Sequence, residues 1–466
     1  MSSRVETATV ACPNIKSRRS ARKWAIAATA LVPLTVAACG SSSTKSASSA
    51  TSATTAASNG SATTAAGGTA SAQNFAGKSI TYLYFTNGPD LAATNSLIAK
   101  FDAQTHATVN LDTVPYANLN QTIQAQLTAG QPPAVVETTE PGLYAKDFVN
   151  LSQALGQSWV SSLDPSLTAS ATYNGGIIAL PNQLTVMGPI VNVAMFQKAG
   201  VAVPTINSTW TWPQLVSAAE KVQAANHTPF ALAIDHSGDR IANVFAQYGT
   251  YLYGTSGTGA WNTQQATSAM TELASLLKAN EISKAAWIAG GTKYVAGDTQ
   301  FLAEQAPVLL SGSWEVAALA KSNPFQWAAV PNPCQVNCGG GSGGNYMAAF
   351  KNSNDPQLAE AFIKFMSEPA NQAYMSVASD TIPSSSSLAS PGSISYPASI
   401  ASDMEMFNKA ATLMPGAFEL SEANPGYSAA SLALMNELTD VVAGTATTSQ
   451  AVTATAQAAA KDNGNG

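Results

Sequence analysis

Catalysis needs particular side chains at particular spacings, and this chain offers few of them. The stretch CGGGSGGNYMAAF contains Gly340-x-Ser342-x-Gly344, the pattern of a hydrolase nucleophile turn, and Gly339-x-Gly341-x-x-Gly344, that of a dinucleotide loop. Both work only where a helix follows the glycines at once, to aim the nucleophile or hold the phosphates. Here YMAAF follows and reads as a strand, so both matches are accidents of a glycine-rich tract. A catalytic serine would also need a histidine, and only His227 and His236 offer themselves. Glu137 and Glu140 could be imagined as a glycosidase pair, but such carboxyl groups stand about 5 to 9 Å apart across a sugar, usually on different strands. Two glutamates on one short loop read instead as a solvated pair or a cap. No nucleotide or metalloprotease motif of the GxxxxGK[ST] or HExxH kind occurs. The reading is of a non-enzyme without a cofactor.

Three cysteines have a use outside catalysis. Cys39 ends an uncharged run, residues 24–38, that follows Lys16, Arg18, Arg19, Arg22 and Lys23. Basic residues and then about 15 uncharged ones make an export signal too short to span a bilayer. The run Val36-Ala37-Ala38-Cys39 resembles a bacterial lipobox, which implies cleavage after residue 38 and lipid on the Cys39 sulfur. Residues 40–72 are Gly, Ala, Ser and Thr apart from Lys45 and Asn59. Such a segment has nothing to bury against its ordering entropy, so it reads as a disordered tether with a reach of roughly 30 Å. Arg18-Arg19 hints at a twin-arginine export route. Cys334 and Cys338, exported into an oxidising compartment, read as a disulfide; no histidine sits beside them to complete a metal site.

Charge excludes further classes. The whole chain carries −6, and the leader holds six basic residues against one acidic, so the mature chain is near −11. Arg240 is its single arginine. Nucleic acid and phosphorylated ligands call for clusters of Arg and Lys, so neither is an expected partner. About 390 residues from Phe75 onward are too many for one ordinary core and suggest two lobes.

The elements that would position a site alternate between strand and helix. KSITYLYF has the period of a strand, LAATNSLIAKFDAQTH that of a helix, and ATVNLDTV, YANLNQTIQAQLTAG and PPAVVETTE continue the series. This predicts an α/β fold with a parallel sheet, ligands gathering beyond the carboxyl ends of its strands near Asn87 and Glu137. After residue 201 the pattern restarts: Thr211 and Gln214 have the spacing of a capping box, Trp212 reads as packing, PFALAIDH as a strand, and GDRIANVFAQYGTYLYG and NTQQATSAMTELASLLKAN as helices.

GGIIALP, followed by IVNVAMFQKAGVAVP and TWPQL, resembles the central signature of extracellular solute-binding proteins of ABC importers, the maltose-binding-protein class. FLAEQAPVLLSGSWEVAAL is similar to that family's apolar strand ending in Gly-x-Trp, and AEAFIKFMSEPANQAYM and DTIPSSSSL resemble its late helices and its return to the second lobe. Departures are Ala134 where the family has Asp, Gln214 where Glu is frequent, and the glycine-rich insertion at 334–344. The resemblance implies a two-lobed Venus-flytrap fold, with lobe 1 at 75–182 plus 326–376 and lobe 2 at 183–325 plus 377–466. It implies a monomeric carrier, held at the membrane by lipid alone, that closes on a neutral mono- or oligosaccharide with near-micromolar affinity and delivers it to an ABC permease. Trp314 would wall the cleft, its π face suiting the C–H face of a sugar, although a core indole is the alternative. Asn87, Glu137, Gln183, Asp239 and Asn345 would serve the hydroxyls, and the family's habit of bringing a late aromatic to the ligand falls on Tyr427. A cationic solute such as a polyamine, held by acids and rings, is the rival reading. A surface-anchored glycoside hydrolase is the second rival.

Overall fold

The computed structural model describes residues 74–85, 90–165, 167–254, 261–388 and 392–462. The leader, Cys39, the tether and Asn87 lie outside them. The strands are β1 Ser79–Tyr84, β2 Thr108–Thr113, β3 Val135–Thr138, β4 Thr172–Tyr173, β5 Gly176–Ile177, β6 Leu180–Asn192, β7 Leu232–Ile234, β8 Val308–Gly312, β9 Trp327–Ala329 and β10 Ser342–Ala349. One sheet runs β2-β1-β3-β10-β6-β8-β7, with β9 also on β6; β4 and β5 form a separate ribbon.

Side chains alternate across a strand, and here both faces are covered. In β1, Ile80, Tyr82 and Tyr84 enter one core while Leu83 enters another. Met347 and Ala349 of β10 join the first of these, and Tyr346 and Ala348 the second. Beyond β6 the same division recurs: Leu232, Ile234, Val308 and Leu310 face one core, Ala233 and Leu309 the other. Four apolar layers on one sheet, two per half, give the α/β two-lobed body expected from the sequence.

The expected all-parallel sheet is corrected. Pairing is parallel for β1 with β2 and β3 and for β7 with β8, but β10 and β6 run antiparallel to their neighbours. The reason is β6, whose residues read in the sequence only as part of the family signature that precedes the restart of the pattern. Its residues 180–186 pair with β10 in the first half of the sheet, and 187–191 pair with β8 in the second. The second crossing also differs from expectation. β9 pairs with Ile190, Val191 and Asn192, so the chain stays with the second half through residue 329 and returns only along 330–341. A third passage follows, where Leu184 bridges Ile382 and Ser384 Oγ donates to Pro181 O at 2.6 Å. Met404, Phe407 and Ala410 of the helix Ala401–Leu413 then pack with Val186 and Ile190.

Local signals explain the helices that frame these strands. Thr211 and Gln214 form the capping box in both directions, and Trp212 is buried, its Nε1 donating to Gln247 Oε1 at 3.0 Å. The helix expected from GDRIANVFAQYGTYLYG is shorter, Gly238–Gln247. Cys334 and Cys338 are joined with their Cα atoms 4.2 Å apart, on the second crossing. The glycine tract enters β10 rather than a helix, as the sequence indicated.

Gly344 shows how tightly β10 meets β6. Its φ is +122°, and a Cβ there would lie 2.4 Å from Gln183 O. Gly344→Ala therefore meets both backbone strain and a clash, and should cost about 2 kcal/mol or more. Denaturant unfolding checks this; an unchanged midpoint would show that the two strands do not approach so closely.

Candidate functional site

A cavity of about 330 Å³ opens where β6 changes partners, lined by Thr185 and Met187 of β6 and by Ser342 to Tyr346 of β10. From the first half, Phe85, Tyr116 and the loop after β3 reach it with Thr139, Glu140 and Leu143. From the second come Asp239 and Arg240 in the first turn of the helix Gly238–Gln247, Tyr294, and Trp314 after β8. The C-terminal segment adds Glu422, Asn424 and, at the start of the helix Tyr427–Ala443, Tyr427 and Ser428. The mouth is bridged from both halves. Tyr116 stands edge-on to Tyr294 at 6.0 Å, and Ser428 Oγ donates to Glu140 Oε1 at 2.9 Å.

Of the residues singled out in the sequence, Asp239, Trp314, Asn345 and Tyr427 meet at this cavity. Glu137 and Gln183 do not. Both are fully buried beneath it: Tyr82 O–H donates to Glu137 Oε2 at 2.5 Å and Gln183 Nε2 to Glu137 Oε1 at 3.2 Å. The solvated pair expected of Glu137 and Glu140 is likewise corrected, because Glu137 points into the core while Glu140 lines the cavity. Burial pushes the Glu137 carboxyl well above the usual range, against the lowering pull of hydrogen bonds from Tyr82 and Asn345. Sequence reasoning missed Tyr116, Arg240, Tyr294 and Glu422 as lining residues, whereas Glu140 lies on the loop after β3 to which the strand-end rule pointed. Arg240, the one arginine after residue 22, was the available signal.

Arg240 organises the second half of the site. It is 6% exposed, and its guanidinium lies 4.6 Å above the Trp314 ring. Its Nη2 pairs with Asp235 Oδ2 at 3.3 Å, while Nε and Nη1 find no hydrogen-bond partner among the described residues. Asp235 is fixed in turn by Gly297 N at 2.8 Å and Ser311 Oγ at 2.7 Å. Ser311 Oγ also lies 3.1 Å from Glu315 Oε1. The Ser311 hydroxyl therefore faces both carboxyl groups with its one proton. Burial, with Asp235 and Asp298 nearby, pushes Glu315 up to about 8. Among the lining acids, burial and then Glu140 raise Asp239 to about 6. Burial, then Glu419 and Asp239, push Glu422 well above its ordinary value.

A sequence model of the family described as bacterial extracellular solute-binding protein matches residues 96–408. The chain belongs to that family. Among curated proteins none matches. Solved structures share the fold. The GacH receptor of Streptomyces glaucescens, solved unliganded and with acarbose, superposes with a TM-score of 0.69 at 17% identity over 83% of this chain and 99% of its own. An ABC substrate-binding protein from Listeria monocytogenes in complex with cycloalternan gives 0.68 at 19%, over 83% and 98%. Maltose-bound MalE3 of T. maritima gives 0.67 at 16%, over 82% and 99%. Among the described residues no helix is long and apolar enough to cross a membrane.

The acids around this cavity give the protein a measurable pH signature. Glu315 and Glu419, the latter raised to about 7 by burial, bind protons more tightly folded than at an unfolded carboxyl pKa of about 4.3. Their contribution is complete below that value and is lost as pH rises through about 7 and about 8. The thermal midpoint should fall between pH 5 and pH 9, and Glu315→Gln should flatten the upper part of that slope. A midpoint that climbs over this range would contradict the burial of these acids.

Proposed function

We propose that this solute-binding protein captures a carbohydrate between its lobes, outside the cytoplasm, and releases it unchanged to an ABC importer. The observation that carries the reading is the cavity itself, at the small end of ligand sites (roughly 300–1,000 Å³). It is walled by rings from both halves and set with carboxyl, amide and hydroxyl groups. Rings cover the C–H faces of a sugar, while acids and Arg240 answer its hydroxyls. Similar folds that hold cycloalternan, maltose and a chitin oligosaccharide support a saccharide over a bare polyamine.

The lobes would exchange between open and closed forms, and a solute touching both favours the closed one by its extra contacts there. Trp314 carries Arg240 on one face, so its ligand contact would use the remaining surface of the ring. Asp239, Asn345 and Tyr427 would join it. Asn87 is proposed as a further contact from the loop after β1, whereas Glu137 and Gln183 would act from below by holding Asn345 and Tyr82. The carrier would work as a monomer without cofactor or bond cleavage, tethered by lipid on Cys39 to the outer face of the membrane.

Titration calorimetry with mono- and oligosaccharides tests the central claim, with an expected affinity near micromolar, about −8 kcal/mol. Trp314→Ala should weaken binding at least tenfold, and small-angle scattering should show the protein contract on adding the same sugar. Sugars that give no heat, or are cleaved during the measurement, would sink the reading. In cell fractionation Cys39→Ala should move the protein from the membrane to the medium; retention on the membrane would remove the anchor.

A further inference from the structure

The cavity's charged groups do not cancel, and they face one another across the lobes. Four of its lining residues bear ionisable acids or a base: Glu140 from the first half, Asp239 and Arg240 from the second, and Glu422 from the C-terminal segment. Arg240 is already paired with Asp235 beneath the surface. Glu422 is pushed toward its neutral form by burial and by its acidic neighbours. Glu140 and Asp239 are left as half-buried carboxyls with no lysine or further arginine among the lining residues. Glu140 accepts hydrogen bonds from Asn120 Nδ2 at 2.8 Å and from Ser428 Oγ at 2.9 Å. Glu140 and Asp239 line the same cavity, and the charge of Glu140 helps to raise the Asp239 carboxyl. Lobe closure therefore brings like charges together in a site that excludes water, where repulsion is strongest. A ligand that carries positive charge between them removes that cost.

Charge alone would admit any amine. Arg240 narrows the choice, because it lines the same cavity and its buried Nε and Nη1 have no hydrogen-bond partner among the described residues. A buried donor without an acceptor is costly, and a polyamine, which has no acceptor oxygen, would leave both unmet and place its charge beside a guanidinium. A neutral sugar satisfies the donors and leaves the carboxyl repulsion in place. A ligand with an ammonium at one position and hydroxyl or ring oxygens at others satisfies both.

We propose that the solute is an amino sugar, its protonated amine seated between Glu140 and Asp239 and its oxygens on Arg240. This rests on the carbohydrate reading above and names the sugar class within it.

Calorimetry of the full chain at pH 7 tests it with glucosamine, galactosamine and their short oligomers, each against its N-acetylated counterpart, and with spermidine as an amine lacking hydroxyls. The expected result is at least tenfold tighter binding of a free-amine sugar than of its N-acetyl form, with spermidine silent. In Glu140→Gln with Asp239→Asn that ratio should fall toward one, which a general loss of fold or affinity would not produce. N-acetylated or plain neutral sugars binding as tightly as the amines would overturn the amine assignment and leave the carbohydrate reading standing. Heat from spermidine alone, or from no sugar in any form, would overturn both.

Discussion

A strand whose thirteen residues are all out of water must satisfy its backbone on both edges, and β6 does so with different partners along its length. Residues 180–186 bond to β10, and 187–191 to β8, with β9 on the opposite edge from Ile190 onward. One continuous strand therefore belongs to both halves. Where it exchanges partners no third strand can lie across it, and the space left over is the cavity. Ligands in open α/β sheets gather where strand order changes, and Thr185 and Met187 sit at that change here. The position of the site follows from hydrogen-bond accounting in β6 before any side chain of the ligand's environment is considered.

That same strand marks the limit of what the sequence discloses. SITYLY and FALAIDH read as strands because their apolar periods are short and bounded, and the Thr211 capping box and the Cys334 to Cys338 bridge are local chemistry. β6 contains Pro181, Gly188 and Pro189, which argue against a central strand because proline has no N–H to give the ladder. It survives because the pairing shifts register between Asn345 and Tyr346, opposite Pro181. Once β6 is missed, the second crossing is misplaced as well. For the site, the rule that ligands lie beyond strand ends finds the right end of β3 but not the face. Glu137, still within the strand, turns inward to Tyr82, while Glu140, past its end, reaches the cavity. Tyr116, Tyr294 and Glu422 come from three distant segments of the chain, and no local pattern joins them. They become neighbours only when the lobes do.

The buried pair of Arg240 and Asp235 is costly on its own terms, since taking both charges out of water can outweigh their attraction. The surrounding groups reduce that cost: Gly297 N and Ser311 Oγ both donate to Asp235. What remains uncompensated is Nε and Nη1 of Arg240. Arg240 also lines the cavity, so the residue that carries this shortfall is one that a ligand there would meet.

The helix Gly238–Gln247 carries that shortfall to the crossing between the lobes. Its ten residues span about 15 Å. Asp239 and Arg240 stand at its cavity end, Asn243 Oδ1 accepts from Gly341 N at 2.8 Å, and Gln247 Nε2 donates to Asn332 Oδ1 at 3.1 Å and Gly339 O at 3.2 Å. The carbonyl of Gln247 accepts from Val336 N and Asn337 N, inside the loop that the disulfide closes. The second crossing is thus fastened along one side of the helix that presents the site's only arginine. A short helix is stiff compared with the segments around it, so displacement at Arg240 and displacement at residues 332–341 are coupled through one rigid body. The glycine-rich insertion, which set this chain apart in sequence, is therefore held along the helix that carries Arg240, and the disulfide closes the short loop through which part of that hold runs.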